Sequence, residues 1–281
     1  MSKKLVCLIS LILVLGLSGS ALAIPRDYFR PYSDTTRVDD LWSTAANWTT
    51  AASGVNMGVI PPNSATAAYL NNGPVMAGPP NYTLINSTVT ATALEVGVAH
   101  FNTMNHELAM TGGTLTVTNL IQLGSGEGNN GLMTLSGGAV TAGTSFYVGG
   151  TGNVAFSSRG GNGVLSMTGG TIDITGNLEV GTQYGYGSGA VGLYGGTITA
   201  ADLNMDVFDG GMAVANAGKL ILSGDKSAKL NGYATAGKLV GTINYYSSGE
   251  YTGKTVVTAI PEPATIALLG LGGLALLRRK R

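Results

Sequence analysis

Met167-Thr168-Gly169-Gly170-Thr171-Ile172 is one copy of a phrase that returns along the chain. Met110-Thr111-Gly112-Gly113-Thr114-Leu115 and Leu135-Ser136-Gly137-Gly138-Ala139-Val140 precede it, Leu193-Tyr194-Gly195-Gly196-Thr197-Ile198 follows, and the separations are 25, 32 and 26 residues. Leu222-Ser223-Gly224-Asp225 reads as a degenerate fifth copy. A repeat of this length is one supersecondary unit that buries its apolar face only by stacking on its neighbours. Apolar residues alternate on both sides of each glycine pair, the period of a strand with one buried face. Before the pair the inward columns are Leu108, Met133, Leu165, Val191 and Leu220, then Met110, Leu135, Met167, Leu193 and Leu222. After it Leu115, Val140, Ile172 and Ile198 point in, while Thr116, Thr141, Asp173 and Thr199 point out. The double glycine makes the corner, because glycine takes positive φ without a Cβ penalty.

A third short strand follows in each unit: Leu94-Glu95-Val96, Ile121-Gln122-Leu123, Phe146-Tyr147-Val148, Leu178-Glu179-Val180 and Leu203-Asn204-Met205. With 44 glycines in 281 residues and threonine, valine, leucine and serine between them, the body favours strands and turns over helices. These features predict an all-β chain, a right-handed parallel β-helix (β-solenoid) of about five coils over 93–230. Residues 24–92, with Trp42, Trp48 and Pro61-Pro62, are expected to supply an N-terminal cap and the first strands. Residues 231–259 are expected to supply a C-terminal cap bearing Tyr233, Tyr245 and Tyr246, then a polar tether from Ser247 to Ala259.

The two ends read as export helices. Lys3 and Lys4, the apolar stretch Leu5–Leu17 and Ala21-Leu22-Ala23 have the form of a secretory signal peptide, 1–23, with Ala21 and Ala23 setting cleavage. Cys7 lies inside it, so the mature chain has no thiol for disulfides, thiolate metal sites or cysteine nucleophiles. Segment 260–281 contains Pro261-Glu262-Pro263, an apolar run from Ala264 to Leu277, and Arg278, Arg279, Lys280 and Arg281. This run of fourteen residues, broken only by Thr265 and glycines, spans only about 21 Å as a helix, short of the roughly 30 Å hydrocarbon core, and the terminal cations stop translocation. Transient insertion followed by processing fits better than permanent anchoring. Between 24 and 260 nine Lys and Arg face fourteen Asp and Glu, a net charge of −5 with no basic run, which leaves no electrostatic footprint for nucleic acid.

The order of Pro-Glu-Pro, apolar segment and basic tail closely resembles the PEP-CTERM sorting signal of Gram-negative bacteria. The resemblance implies an exosortase-like processing enzyme as partner, cutting near the motif and delivering the protein to the envelope, surface or extracellular matrix. Leu41-Trp42-Ser43-Thr44-Ala45-Ala46-Asn47-Trp48, Pro61-Pro62-Asn63-Ser64-Ala65-Thr66 and the Gly-Gly-Thr repeats are similar to secreted planctomycete-type repeat proteins carrying this tail. They also resemble the β-helical passengers of autotransporters. The setting so implied is exopolysaccharide and biofilm, and the role that of a structural or adhesive component.

The alternative is a polysaccharide-binding protein or a carbohydrate-active enzyme on the same scaffold. A glycosidase needs two carboxylates about 5–9.5 Å apart. Glu95 and Glu179 share an outward column but lie three coils, about 14 Å, apart. Asp173 and Glu179 diverge across a corner. Between Val38 and Gly218 the lone cation is Arg159, too little for lyase chemistry. Asn204, Asp206 and Asp209 before Gly210-Gly211 offer oxygen donors to calcium, yet read better as a solvated turn. His100 and His106, with Glu107 as the one neighbouring ligand, read as loop histidines. No catalytic residue, metal or cofactor is therefore assigned. Phe156 and Arg159 in one long connection, and Tyr184 and Tyr186 in another, are the candidate sugar-contacting residues.

Overall fold

A computed structural model describes residues 68–70, 81–85, 87–91, 94–96, 105–124, 130–149, 161–181, 187–205 and 210–260. Among the described residues the elements are strands apart from one short helix. It opens with β1 (Ala68–Leu70), then repeats a unit of a longer strand, a glycine corner, a second strand and a short third strand. The first unit is β2 (Asn81–Ile85), β3 (Thr88–Ala91) and β4 (Leu94–Val96). The second is β5 (Asn105–Met110), β6 (Thr114–Val117) and β7 (Ile121–Leu123). The third is β8 (Asn130–Leu135), β9 (Ala139–Ala142) and β10 (Phe146–Val148). In the next two the first and second strands merge through the corner, giving β11 (Asn162–Ile174) with β12 (Asn177–Val180), and β13 (Gly189–Ala200) with β14 (Asp202–Met205). A shortened unit, β15 (Gly210–Val214) and β16 (Lys219–Ser223), leads to α1 (Ser227–Thr235), β17 (Leu239–Val240), β18 (Thr242–Tyr246) and β19 (Lys254–Thr258).

Like strands of successive units pair in parallel. The third strands form one ladder, β1-β4-β7-β10-β12-β14, and the first and second strands run through a larger sheet beside it. Register keeps equivalent residues stacked: Leu108 on Met133, Met133 on Leu165, Leu165 on Val191, and likewise Leu115, Val140, Ile172 and Ile198. All of these are buried, as are Ile121, Leu123, Phe146, Val148, Leu178, Val180 and Leu203 from the facing ladder. A one-residue slip would turn each column to solvent, so the buried stack holds every strand in register. Each buried aliphatic side chain contributes about 1.5–3 kcal/mol.

At the corner the second glycine carries the positive φ, as at Gly138 (φ 87) and Gly170 (φ 77). In β11 the pairing to β13 shifts register on either side of Thr168, so the corner is a bulge that bends a continuous strand.

The structure differs from the sequence reading at His106, which lies within strand β5 rather than in a loop, and in three further places. Leu220 and Leu222 do not continue the Val191–Leu193 columns; Met212 and Val214 do, and Leu220 and Leu222 stack under Ile198 and Ala200. The fifth glycine phrase therefore belongs to the second-strand leg, not the first. The true corner in that unit is Ala215-Asn216-Ala217-Gly218, where Asn216 takes the positive φ (50). Asparagine tolerates that conformation better than other side-chain-bearing residues, and a Gly-Gly template misses it. Second, Ser247–Ala259 is not a tether. β19 inserts antiparallel between β16 and β18, with Thr255, Val256 and Val257 at 0–1% exposure. Third, the cap begins at Ser227 with α1, a nine-residue helix, ahead of the boundary expected at 231. Tyr245 and Tyr246 stay exposed, and of the three expected cap tyrosines Tyr233 alone packs against the core.

Candidate functional site

The antiparallel hairpin β18–β19 and α1 close the last unit and stand immediately before residue 261. Lys226, Lys229, Leu230 and Tyr233 fall at the spacing that shares one helix face. Leu230 enters the core. The other three meet β14: Lys229 Nζ donates to Asp202 Oδ2 at 2.9 Å and to Asn204 Oδ1, Lys226 Nζ lies 3.6 Å from Asp202 Oδ2, and the Met205 N–H donates to the Tyr233 hydroxyl at 3.1 Å. Helix α1 thus satisfies the open edge of the third-strand ladder, the kind of edge that otherwise recruits another strand. Burial alone would raise the Asp202 pKa, but the Lys229 hydrogen bond, the Leu203 N–H and the charges of both lysines outweigh it and hold the carboxyl below its usual range.

The lock extends up the outward face. Asn204 Nδ2 donates to Glu179 Oε1 at 2.7 Å, and Asn177 Nδ2 reaches the same oxygen at 3.1 Å. Glu95, Gln122, Tyr147, Glu179 and Asn204 do share one column, as the sequence predicts. Glu179 is consumed by two amides and holds adjacent units together. Asn204 turns its amide oxygen to the Lys229 ammonium, a partner that competes with any cation there. Asp206 and Asp209 lie outside the described residues, and among the described residues no three His, Cys, Asp or Glu side chains gather to hold a metal.

Two further polar features hold the units in place. Asn105, Asn130 and Asn162 stack in register; Asn162 Nδ2 donates to Asn130 Oδ1 at 2.8 Å, and the Ser188 hydroxyl donates to Asn162 Oδ1 at 2.8 Å. The sequence signal for this stack is the recurrence of asparagine three residues before the Leu108, Met133 and Leu165 column. Glu107 accepts a hydrogen bond from the Thr134 hydroxyl at 3.1 Å; burial pushes its carboxyl up, and that bond only partly offsets it. At the hairpin, Lys219 Nζ donates to the Tyr251 hydroxyl at 2.7 Å and sits 5.0 Å from its ring, which stands 5.5 Å from that of Tyr246.

The sorting residues Pro261, Glu262, Pro263 and Arg278 to Arg281, the signal residues Ala21 and Ala23, and the sugar-contact candidates Phe156, Arg159, Tyr184 and Tyr186 lie outside the described residues, as does His100. The strands that follow the two long connections bearing those candidates, β11 and β13, begin side by side, since Gly163 pairs with Gly189. What the structure fixes about the sorting motif is its mount. β19 ends at Thr258, so Ala259 and Ile260 alone separate a strand with a buried face from Pro261.

Residues 259–281 match the PEP-CTERM protein-sorting motif. The match begins one residue after β19 and takes in the Pro-Glu-Pro phrase, the apolar run and the basic tail. A chain carrying this motif is exported, processed by exosortase, and sorted to the cell envelope or surface. No curated protein and no solved structure matches the chain.

Proposed function

We propose that this chain is a structural or adhesive component of the cell surface or extracellular matrix, its body a right-handed parallel β-helix delivered through the PEP-CTERM route. The observation that carries the reading is the join between body and motif: an in-register stack of aliphatic columns runs into a capped end, and the capped end runs into the Pro-Glu-Pro phrase of the sorting motif with two residues between. Such a body is rigid along its axis and binds through side chains repeated at each unit rather than through a cleft. The described carboxylates support a mechanical role as well. Glu179, Asp202 and Glu107 each accept hydrogen bonds that tie one unit to the next or to the cap. In this reading exopolysaccharide is the surrounding material, and 264–277 holds the membrane only until processing.

Intact mass of the protein recovered from envelope and medium fractions of its own host tests the reading. The expected mature chain lacks 1–23 and the segment beyond about Pro263, and cells producing a Glu262→Ala chain lose surface display and adhesion. Retention of Arg278–Arg281 in the membrane fraction would reduce the tail to an anchor. Release of reducing ends from a polysaccharide by the purified chain would replace the structural role with an enzymatic one.

A further inference from the structure

Charge is distributed unevenly along the mature body. Residues 24–218 carry four arginines against twelve carboxylates, a net −8. Residues 219–260 carry Lys219, Lys226, Lys229, Lys238 and Lys254 against Asp225 and Glu250, a net +3. Counting Asp202, which Lys226 and Lys229 engage, the end cap still holds +2. The fold gathers this segment at one end of the stack, in α1, β17 and the β18–β19 hairpin. The exposed large hydrophobic residues among the described ones lie there too: Tyr245 at 43%, Tyr246 at 36% and Ile260 at 58%. Lysines interleaved with tyrosines and an isoleucine make the side-chain mixture that settles at a membrane interface, where rings and aliphatic carbons sit at headgroup depth and ammonium groups meet phosphate.

Distance completes the argument. Ile260 to Pro263 span at most about 14 Å even when fully extended. The headgroup layer adds roughly 5–7 Å outside the hydrocarbon on each side, and charge acts over a Debye length of about 8–10 Å. A body joined this closely to an inserted apolar run keeps the Thr258 end of its cap at the lipid surface, and the β18–β19 hairpin lies along that surface for Tyr245, Tyr246 and Lys254, at the other end of β19, to reach it. We propose that the C-terminal cap is an interaction surface for anionic phospholipid headgroups, seating the folded body on the bilayer while the sorting motif is presented for processing. The inference rests on the reading that 264–277 enters a bilayer. The acidic remainder of the body is repelled by the same surface, so the stack stands away from the membrane on its basic end.

The experiment is flotation of the full chain with vesicles of phosphatidylcholine alone or phosphatidylcholine with phosphatidylglycerol, at low and high salt. Lys254 is exposed at the start of β19, so its substitutions leave the buried face untouched. Each juxtamembrane lysine changes partition to an anionic surface about fivefold. Lys254→Gln is expected to weaken binding to the anionic vesicles about fivefold at low salt, Lys254→Glu about 25-fold, and Lys254→Arg not at all, with flotation on neutral vesicles unchanged throughout. Tyr245→Ser with Tyr246→Ser is expected to weaken binding to both vesicle types. Lys254 variants that match the unsubstituted chain on anionic vesicles, with flotation on neutral vesicles intact, would overturn the docking surface and leave tail insertion standing. Failure of the chain to float on either vesicle would overturn tail insertion, and the docking surface with it.

Discussion

Gly112 and Gly113 are neighbours in one corner, yet an added methyl group should be tolerated at the first and damaging at the second. Gly113 has φ 71, a conformation that costs a residue with a Cβ about 1–2 kcal/mol. A Cβ there would also lie 2.6 Å from both the carbonyl carbon and the nitrogen of Ser87, in the unit stacked beside it. Ser87 cannot simply move aside, because its carbonyl accepts the Thr114 N–H at 3.1 Å and so begins the β3–β6 pairing. Forcing atoms into a packed site of this kind costs about 1–3 kcal/mol more. Gly113→Ala is therefore expected to destabilise by about 2–5 kcal/mol. A Cβ on Gly112 meets nothing within 4 Å, and its φ lies outside the left-handed range. Gly112→Ala should be neutral or stabilise by up to about 1 kcal/mol through the unfolded chain. Urea unfolding followed by circular dichroism measures the difference. Because stacked repeats lose stability locally, hydrogen exchange at 114–117 should report it most directly. Two variants agreeing within about 0.5 kcal/mol would refute the stacked-corner reasoning, since that is the scatter of an ordinary surface change.

Gly232 lies inside α1 with open space around it, so Gly232→Ala should raise the stability of the cap by about 0.5–1 kcal/mol, read as slower exchange of α1 amides. Phe146 is fully buried between the two ladders, and Phe146→Ala should cost about 3–5 kcal/mol in the same urea assay. Glu107 has a raised pKa, so its favourable contribution is complete below the unfolded-chain value and is lost as pH rises through the folded value. Glu107→Gln should then stabilise the protein at neutral pH, with the advantage vanishing at acid pH in paired melting curves. Asp202 runs the other way. Its depressed pKa gives stability that is present above the unfolded-chain value and is lost as pH falls through the folded one, so α1 exchange should accelerate under acid and Asp202→Asn should remove that pH dependence.

The strands of the stack were legible because their physics is local and repeated. Period-2 alternation around Gly169-Gly170 names the inward residues, and repetition says what they meet, since Met167 stacks on Leu135 and Leu193. The sorting segment was legible for a similar reason, being a contiguous apolar run between a proline motif and four cations. The last unit was not. Asn216 replaces the glycine corner, so the template slid by one leg onto Leu222. Val256 and Val257 sit among lysine, threonine and glycine and yield too short an apolar pattern to separate an inserted strand from a tether. Nothing near Lys229 in the chain marks Asp202 and Asn204, 27 and 25 residues earlier, as its partners.

By itself, then, the sequence determined the repeating strand pattern, the residues facing the core and the sorting motif, all of which depend on neighbours in the chain or on equivalents one repeat away. The tertiary structure alone decided how the stack ends. There the repeat stops, each sheet presents an open edge that has to be covered by whatever the fold brings to it, and α1 reaches β14 and β19 reaches β16 through contacts that no local pattern encodes.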